Sequence, residues 1–145
     1  MMRPNNNYLE RQVMEGNPLE HVILLYGKAI NSLRLAKNAI ESGLKDPENV
    51  KIKVENLTKA MDILIYLQAI LDLEKGGEIA KNLKEIYEIL INALIEVNFS
   101  NDLKPLNDSI EVLEKLRSAW MEIKPVVNSV KSNVKNNEKY IQTNL

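Results

Sequence analysis

The sequence contains no cysteine. Disulfides, thiolate nucleophiles and cysteine metal sites are therefore excluded, and the composition suits a reducing compartment. Histidine, tryptophan and phenylalanine occur once each. The single histidine, His21, has no second histidine or cysteine to complete a metal or nucleophile set, and a lone histidine in such a place is expected at the surface. The paired Glu-x-x-His motif of a carboxylate di-metal bundle is missing as well. Neither sign of charge dominates, since 19 Lys and Arg face 20 Asp and Glu for a net charge of −1. The chain as a whole offers no field to recruit nucleic acid or an anionic membrane. No apolar run approaches the roughly 20 residues that span a bilayer. Residues 1–7 are polar and lack the apolar run of a secretion signal. These absences together point away from an enzyme, a metal site, a cofactor site and membrane insertion. They lead to the expectation of a cytosolic protein.

The 145 residues, 45% of them hydrophobic, are enough for one domain with a real core. Four helical patterns fill most of the length, and no stretch alternates as a strand would. The first opens at Asn17-Pro18-Leu19-Glu20, where Asn17 can cap, Pro18 suits the first helical position and Glu20 completes a box-like start. Its apolar stripe reads Leu19, Val22, Ile23, Tyr26, Ala29, Ile30, Leu33, Ala36 and Ile40, with Gly43 as the stop. Asp46-Pro47-Glu48 repeats the start signal for a second stripe of Val50, Val54, Leu57, Met61, Leu64, Gln68 and Leu71. The third begins near Glu78 and reads Ile79, Leu83, Ile86, Leu90, Ala93 and Val97. After a polar break from Asn98 to Asp102, the fourth reads Leu103, Leu106, Ile110, Leu113, Leu116, Trp120 and Ile123. Pro105 sits in its first turn and Pro125 ends it. Helices of roughly 20–27 residues with short links imply an all-α, antiparallel up-down-up-down four-helix bundle. On this reading residues 1–125 form a single bundle domain with a short N-terminal cap segment, and residues 126–145 form a polar, flexible tail.

Between the second and third patterns lies Leu71-Asp72-Leu73-Glu74-Lys75-Gly76-Gly77-Glu78-Ile79-Ala80-Lys81-Asn82-Leu83. Two adjacent glycines take positive φ without steric cost, so the spacing predicts a helix stop and reversal at Gly76-Gly77. The pair lacks the flanking residues of a phosphate loop.

The second and third helices carry more apolar residues than one core stripe requires. Beside the second stripe lie Ile63, Leu67 and Ile70, with Ile65 close by. Beside the third lie Tyr87, Ile91, Leu94 and Ile95. Three readings of this broad arc are open from the pattern: a generous core, a homo-oligomer interface, or a groove for a partner's amphipathic helix. Tyr8 and Leu9 either anchor the N-terminus or cover such a groove until a partner displaces them. Trp120 and Tyr26 read as core residues.

The double-glycine segment resembles the Leu-Asp-x-Glu-x-Gly-Gly-Glu-Ile-Ala-x-Asn-Leu signature of the flagellar secretion chaperone family, FliS. Other pieces resemble the family in the same order. Tyr8 and Asn17-Pro18 match its N-terminal Tyr and helix start. Leu24-Leu25-Tyr26 with Ala29-Ile30 is similar to its Leu-Tyr-Asp-Gly-Ala-Ile segment, although Gly27-Lys28 stands where the family has Asp-Gly. Leu83, Tyr87 and Leu94 fall where the family has Leu, Tyr and Leu. Asn98, Asn101 and Asp102 resemble its Asn-rich turn, and Leu113, Leu116, Arg117, Ala119 and Trp120 its closing segment. The resemblance spans roughly Tyr8 to Trp120. It implies a four-helix bundle that holds the C-terminal region of newly made flagellin in the cytoplasm, prevents premature polymerisation and aids delivery to the flagellar type III export apparatus. The partners it implies are the flagellin C-terminal region and the export gate; the pattern-based rival is a homo-oligomeric structural or regulatory bundle. The expected contact residues are Tyr8, Leu9, Ile63, Leu67, Ile70, Tyr87, Ile91 and Leu94.

Overall fold

Helix follows helix along the chain in the computed structural model, which describes the backbone over residues 18–144 and the side chains over residues 18–123. The order is α1 (Pro18–Ser42), α2 (Pro47–Ala69), α3 (Leu73–Ser100) and α4 (Leu103–Asn144). No strand occurs among the described residues. One compact unit runs from Leu24 to Lys115; a second takes in the described residues up to Ile23 and from Leu116 onward. The first unit is an all-α four-helix bundle, as the periodicity implies.

The start signals act as their chemistry suggests. Asp46 caps α2, its carboxylate accepting from the Glu48 N–H at 2.9 Å, with Pro47 in the first turn. Asp102 accepts from the Lys104 N–H at 3.0 Å at the head of α4. Gly43 ends α1 with φ +109°, a conformation that side-chain-bearing residues rarely adopt.

Two boundaries differ from the sequence expectation. The reversal between α2 and α3 falls at Ile70–Asp72, ahead of the glycine pair, because Asp72 is itself a competent cap: its side chain accepts from the Lys75 N–H at 3.0 Å. Gly76 and Gly77 therefore lie inside α3. Gly77, at φ +54° and ψ −132°, breaks the helical path after a single turn. This is mirror-image β space, open to glycine alone in practice. Gly76 has a different reason to lack a side chain, since a Cβ there would stand 2.5 Å from the Ala80 Cβ. The second difference is at Pro125. The helix passes through it and continues to Asn144, although proline lacks the N–H that the ladder would use at that point.

Within the first unit, α1 buries Leu25, Tyr26, Ala29, Ile30, Leu33, Ala36 and Ala39. α2 buries Leu57, Ala60, Leu64 and Leu67, and α3 buries Ala80, Leu83, Tyr87, Leu90, Leu94 and Val97. Leu106, Ile110 and Leu113 complete the core from α4. On α2 and α3 the buried positions alternate in steps of three and four, the spacing of interlocking bundle seams. The α3 stripe keeps Leu83, Leu90 and Val97 of the expectation but differs at the alternate positions: Ala80, Tyr87 and Leu94 are core, Ile86 and Ala93 are half-buried flanks, and Ile79 is 70% exposed.

Polar contacts also cross the interior. The Tyr26 and Tyr87 hydroxyls are 2.5 Å apart in the core, linking α1 to α3. Burial, reinforced by the neighbouring Tyr26, pushes the Tyr87 phenol well above the usual tyrosine range, so it stays protonated at neutral pH. At one end of the bundle Lys53, only 7% exposed, donates to the Asn98 carbonyl at 3.1 Å and to Asn101 Oδ1 at 2.7 Å. Asn101 ends α3 in the left-handed conformation, its N–H donating to the Val97 carbonyl. A buried ammonium here satisfies a last-turn carbonyl and meets the negative end of the helix dipole. His21, expected at the surface, is buried.

Candidate functional site

The arrangement of α2 against α3 builds the surface of interest. Lys53, early in α2, meets Asn98 and Asn101 at the end of α3. Gln68, late in α2, donates to the Lys84 carbonyl at 3.3 Å and to Glu88 Oε1 at 3.2 Å, near the start of α3. The two helices are therefore antiparallel, and this register sets Met61 level with Ile91. The Gln68 contacts also show which flank of each helix borders the seam.

On α3, Lys84, Glu88, Ile91, Ile95 and Phe99 recur at steps of three and four and so share one flank. On α2, Val50, Val54, Met61, Ile65 and Gln68 share another by the same spacing. Val50, Val54, Ile65 and Ile95 are exposed, Met61 and Ile91 half-buried, and Phe99, the single phenylalanine of the chain, is 83% exposed. An apolar band thus runs outward along the α2/α3 seam. The Gln68–Glu88–Lys84 contact lies toward one end and the Lys53–Asn101 clamp toward the other. Large apolar side chains grouped in this way mark an interaction surface more often than isolated exposed residues do.

The expected contact residues divide. Ile91 lies on the seam. Ile63 is half-buried and Ile70 exposed, but their seven-residue spacing puts both on the flank of α2 away from Ile65. Leu67, Tyr87 and Leu94 are core residues, which is the correction the structure makes: their side chains complete the bundle and leave no surface to offer. Tyr8 and Leu9 lie outside the described residues. Val50, Val54 and Phe99 were missing from the expectation. The signal that finds them is the alternating three-four core repeat of leucine, alanine and tyrosine; once that phase is set, the isoleucines fall on its edges.

Among the described residues no group of three His, Asp or Glu side chains stands ready to hold a metal ion, and no helix is long and apolar enough to cross a membrane. Chemically, the seam offers an exposed apolar surface.

Comparison with known proteins places the chain in a family. The family model described as flagellar protein FliS matches residues 1–127. The flagellar secretion chaperone FliS of Vibrio cholerae is 37% identical over 117 residues, covering 81% of this chain and 82% of that protein. FliS of Salmonella typhimurium is 36% identical over 118 residues, covering 81% and 84%. The flagellar secretion chaperone FliSB of Pseudomonas aeruginosa is 35% identical over 112 residues, covering 77% and 85%.

Proposed function

The chain belongs to the FliS family of flagellar proteins, and from that premise we propose that it binds the C-terminal region of newly made flagellin in the cytosol and keeps it from polymerising before export. The family is one of secretion chaperones rather than enzymes, so the chain has a chaperone role in flagellar export. The finer assignment of client and site is our reading. What carries it is the outward apolar band of Val54, Ile65, Ile95 and Phe99 along the α2/α3 seam.

The physics suits the task. An assembly segment of a filament protein exposes apolar side chains as soon as it leaves the ribosome. A chaperone has to cover them with a surface that is already formed and then release them. A segment that orders on a preformed bundle buries a large area, yet part of the gain is offset by the entropy lost in ordering. Binding that is saturable but reversible follows. Ile91 and the exposed seam residues make the contact in this reading, with Ile63 and Ile70 bordering it on the far flank of α2. Tyr8 and Leu9 serve as a displaceable cover, and the loaded complex presents the client to the export gate.

Calorimetric titration of the full chain with a peptide spanning the flagellin C-terminal region tests the client. The expected result is saturable binding with a negative heat-capacity change and a gain of helix in the mixture. Absence of binding to a folded sample would remove flagellin from the reading. Light scattering then separates the rival: a self-associating bundle would form homo-oligomers without any client. A chain lacking residues 1–13 should bind the peptide more tightly or aggregate; if neither changes, the cover is wrong while the client stands.

A further inference from the structure

The last turn of α3 is tied to a neighbouring helix rather than to its own continuation. The Val97 carbonyl accepts from the Asn101 N–H at 2.8 Å. The Asp102 N–H, which a continuing helix would give to the Asn98 carbonyl, donates instead to Ser100 Oγ at 3.1 Å. Lys53 of α2 takes its place, donating to the Asn98 carbonyl at 3.1 Å and to Asn101 Oδ1 at 2.7 Å. Helix ends fray where such carbonyls have no fixed partner; this one is held from across the seam.

Phe99 sits between the two clamped residues and is 83% exposed. On α2, Val50 and Val54 lie one turn before Lys53 and one residue after it, and on α3 Ile95 lies one turn before Phe99. All three are exposed. An aromatic and three aliphatic side chains are thus brought to the clamped end of the seam. Toward the other end the band thins to Ile65 before it meets the Gln68–Glu88 contact. From Val50 to Gln68 the band is about 27 Å long at 1.5 Å per residue. That length, two helix flanks wide, matches one amphipathic helix of about five turns; the face of a second bundle would need more breadth.

We propose, resting on the seam as the client's surface, that Lys53 is a positioning residue. By fixing the last turn of α3 it presents Phe99 as a preorganised anchor, on which one large apolar side chain of a client helix packs beside Val54 and Ile95. A side chain already held in place loses less freedom on binding, so more of the apolar gain appears as affinity. Lys53 itself is only 7% exposed and acts through the backbone that it holds.

The test is calorimetric titration of the full chain with the flagellin C-terminal peptide, at a temperature where circular dichroism shows every variant folded. Phe99→Ala should melt near the parent and lose affinity on the order of tenfold. Lys53→Met should lose roughly three- to tenfold, and Lys53→Met/Phe99→Ala should bind no more weakly than Phe99→Ala alone. If Lys53→Met does not fold, Asn101→Gly replaces it in the cycle, because glycine keeps the left-handed cap and removes one acceptor of the clamp. Parent-like affinity in Phe99→Ala would overturn the anchor. A lowered melting temperature with unchanged affinity in the clamp variant would overturn the positioning role, and so would losses that simply add. A parent chain that does not bind the peptide would overturn the client reading itself, and this inference with it.

Discussion

The two corners at the ends of α3 reverse the chain by opposite means. At the corner with α2, residues 70–79, backbone freedom does most of the work: after one turn capped by the Asp72 side chain, Gly77 takes a mirror-image β conformation and Gly76 makes room for Ala80. The side chains there are left outside, with Ile70, Leu73 and Ile79 all exposed. At the corner with α4, residues 98–103, side chains do the work: Lys53 reaches across from α2 to hold Asn98 and Asn101, and Asp102 caps the next helix. The first corner depends on what glycine lacks, the second on a buried charge and its two oxygen partners. A glycine corner is sensitive to any added Cβ; a charge-clamped corner is sensitive to loss of one distant residue.

Substitutions can break each corner separately. The largest effect is expected for Lys53→Met, which keeps the side-chain bulk but deprives a part-buried carbonyl and an amide oxygen of a charged donor, at about 2 kcal/mol. Urea unfolding monitored by circular dichroism measures it, and a change below about 0.5 kcal/mol would mean that the clamp is ornamental. Gly77→Ala should come close behind, also at about 2 kcal/mol, for forcing an alanine into glycine-only backbone space. Gly76→Ala should follow at about 1 kcal/mol, as the helix gives way to relieve the new Cβ against Ala80. If Gly77→Ala matched Gly76→Ala in the same assay, backbone conformation would not be what distinguishes the two glycines.

The smallest effect is on pH dependence. Tyr87 is held protonated by burial and by Tyr26, so the folded state binds its proton more tightly than the unfolded chain does. That contribution is fully present below the ordinary tyrosine pKa of about 10 and is lost as pH rises above it. The urea midpoint should therefore fall between pH 9 and 11, roughly bracketing that value, and fall less steeply in Tyr87→Phe. Equal slopes in parent and variant would assign the alkaline loss to other groups.

Most of the fold is legible in the sequence because its helix starts carry their own chemistry: Asp46-Pro47, Asp102 and Gly43 mark boundaries that the structure keeps. What misleads are residues with two competent uses. Asp72 caps a helix just ahead of a glycine pair that reads as the stop, and the local hydrogen bond prevails. On α3 isoleucine and leucine are equally apolar, so Ile79, Ile86 and Ala93 compose as plausible a stripe as Ala80, Tyr87 and Leu94. Only packing against α1 and α2 decides the phase, and with it which residues remain outside. Lys53 was hidden for a related reason, since a lysine in a helix reads as solvated until a neighbouring helix places its C-terminus over it. The candidate surface was therefore read on α2 and α3 with three residues, Leu67, Tyr87 and Leu94, that packing places in the core.

The seam can be tested without disturbing either corner. Ile65 and Ile95 are exposed on α2 and α3, so changing both to serine should leave the melting temperature near that of the parent. The decisive measurement is the affinity of the Ile65→Ser/Ile95→Ser variant for the flagellin C-terminal peptide, compared with the parent by calorimetry. A loss on the order of tenfold or more, about 1.4 kcal/mol per factor of ten, is expected if the client lies on the α2/α3 seam. Unchanged affinity in a folded variant would contradict it and move the client to another face of the bundle.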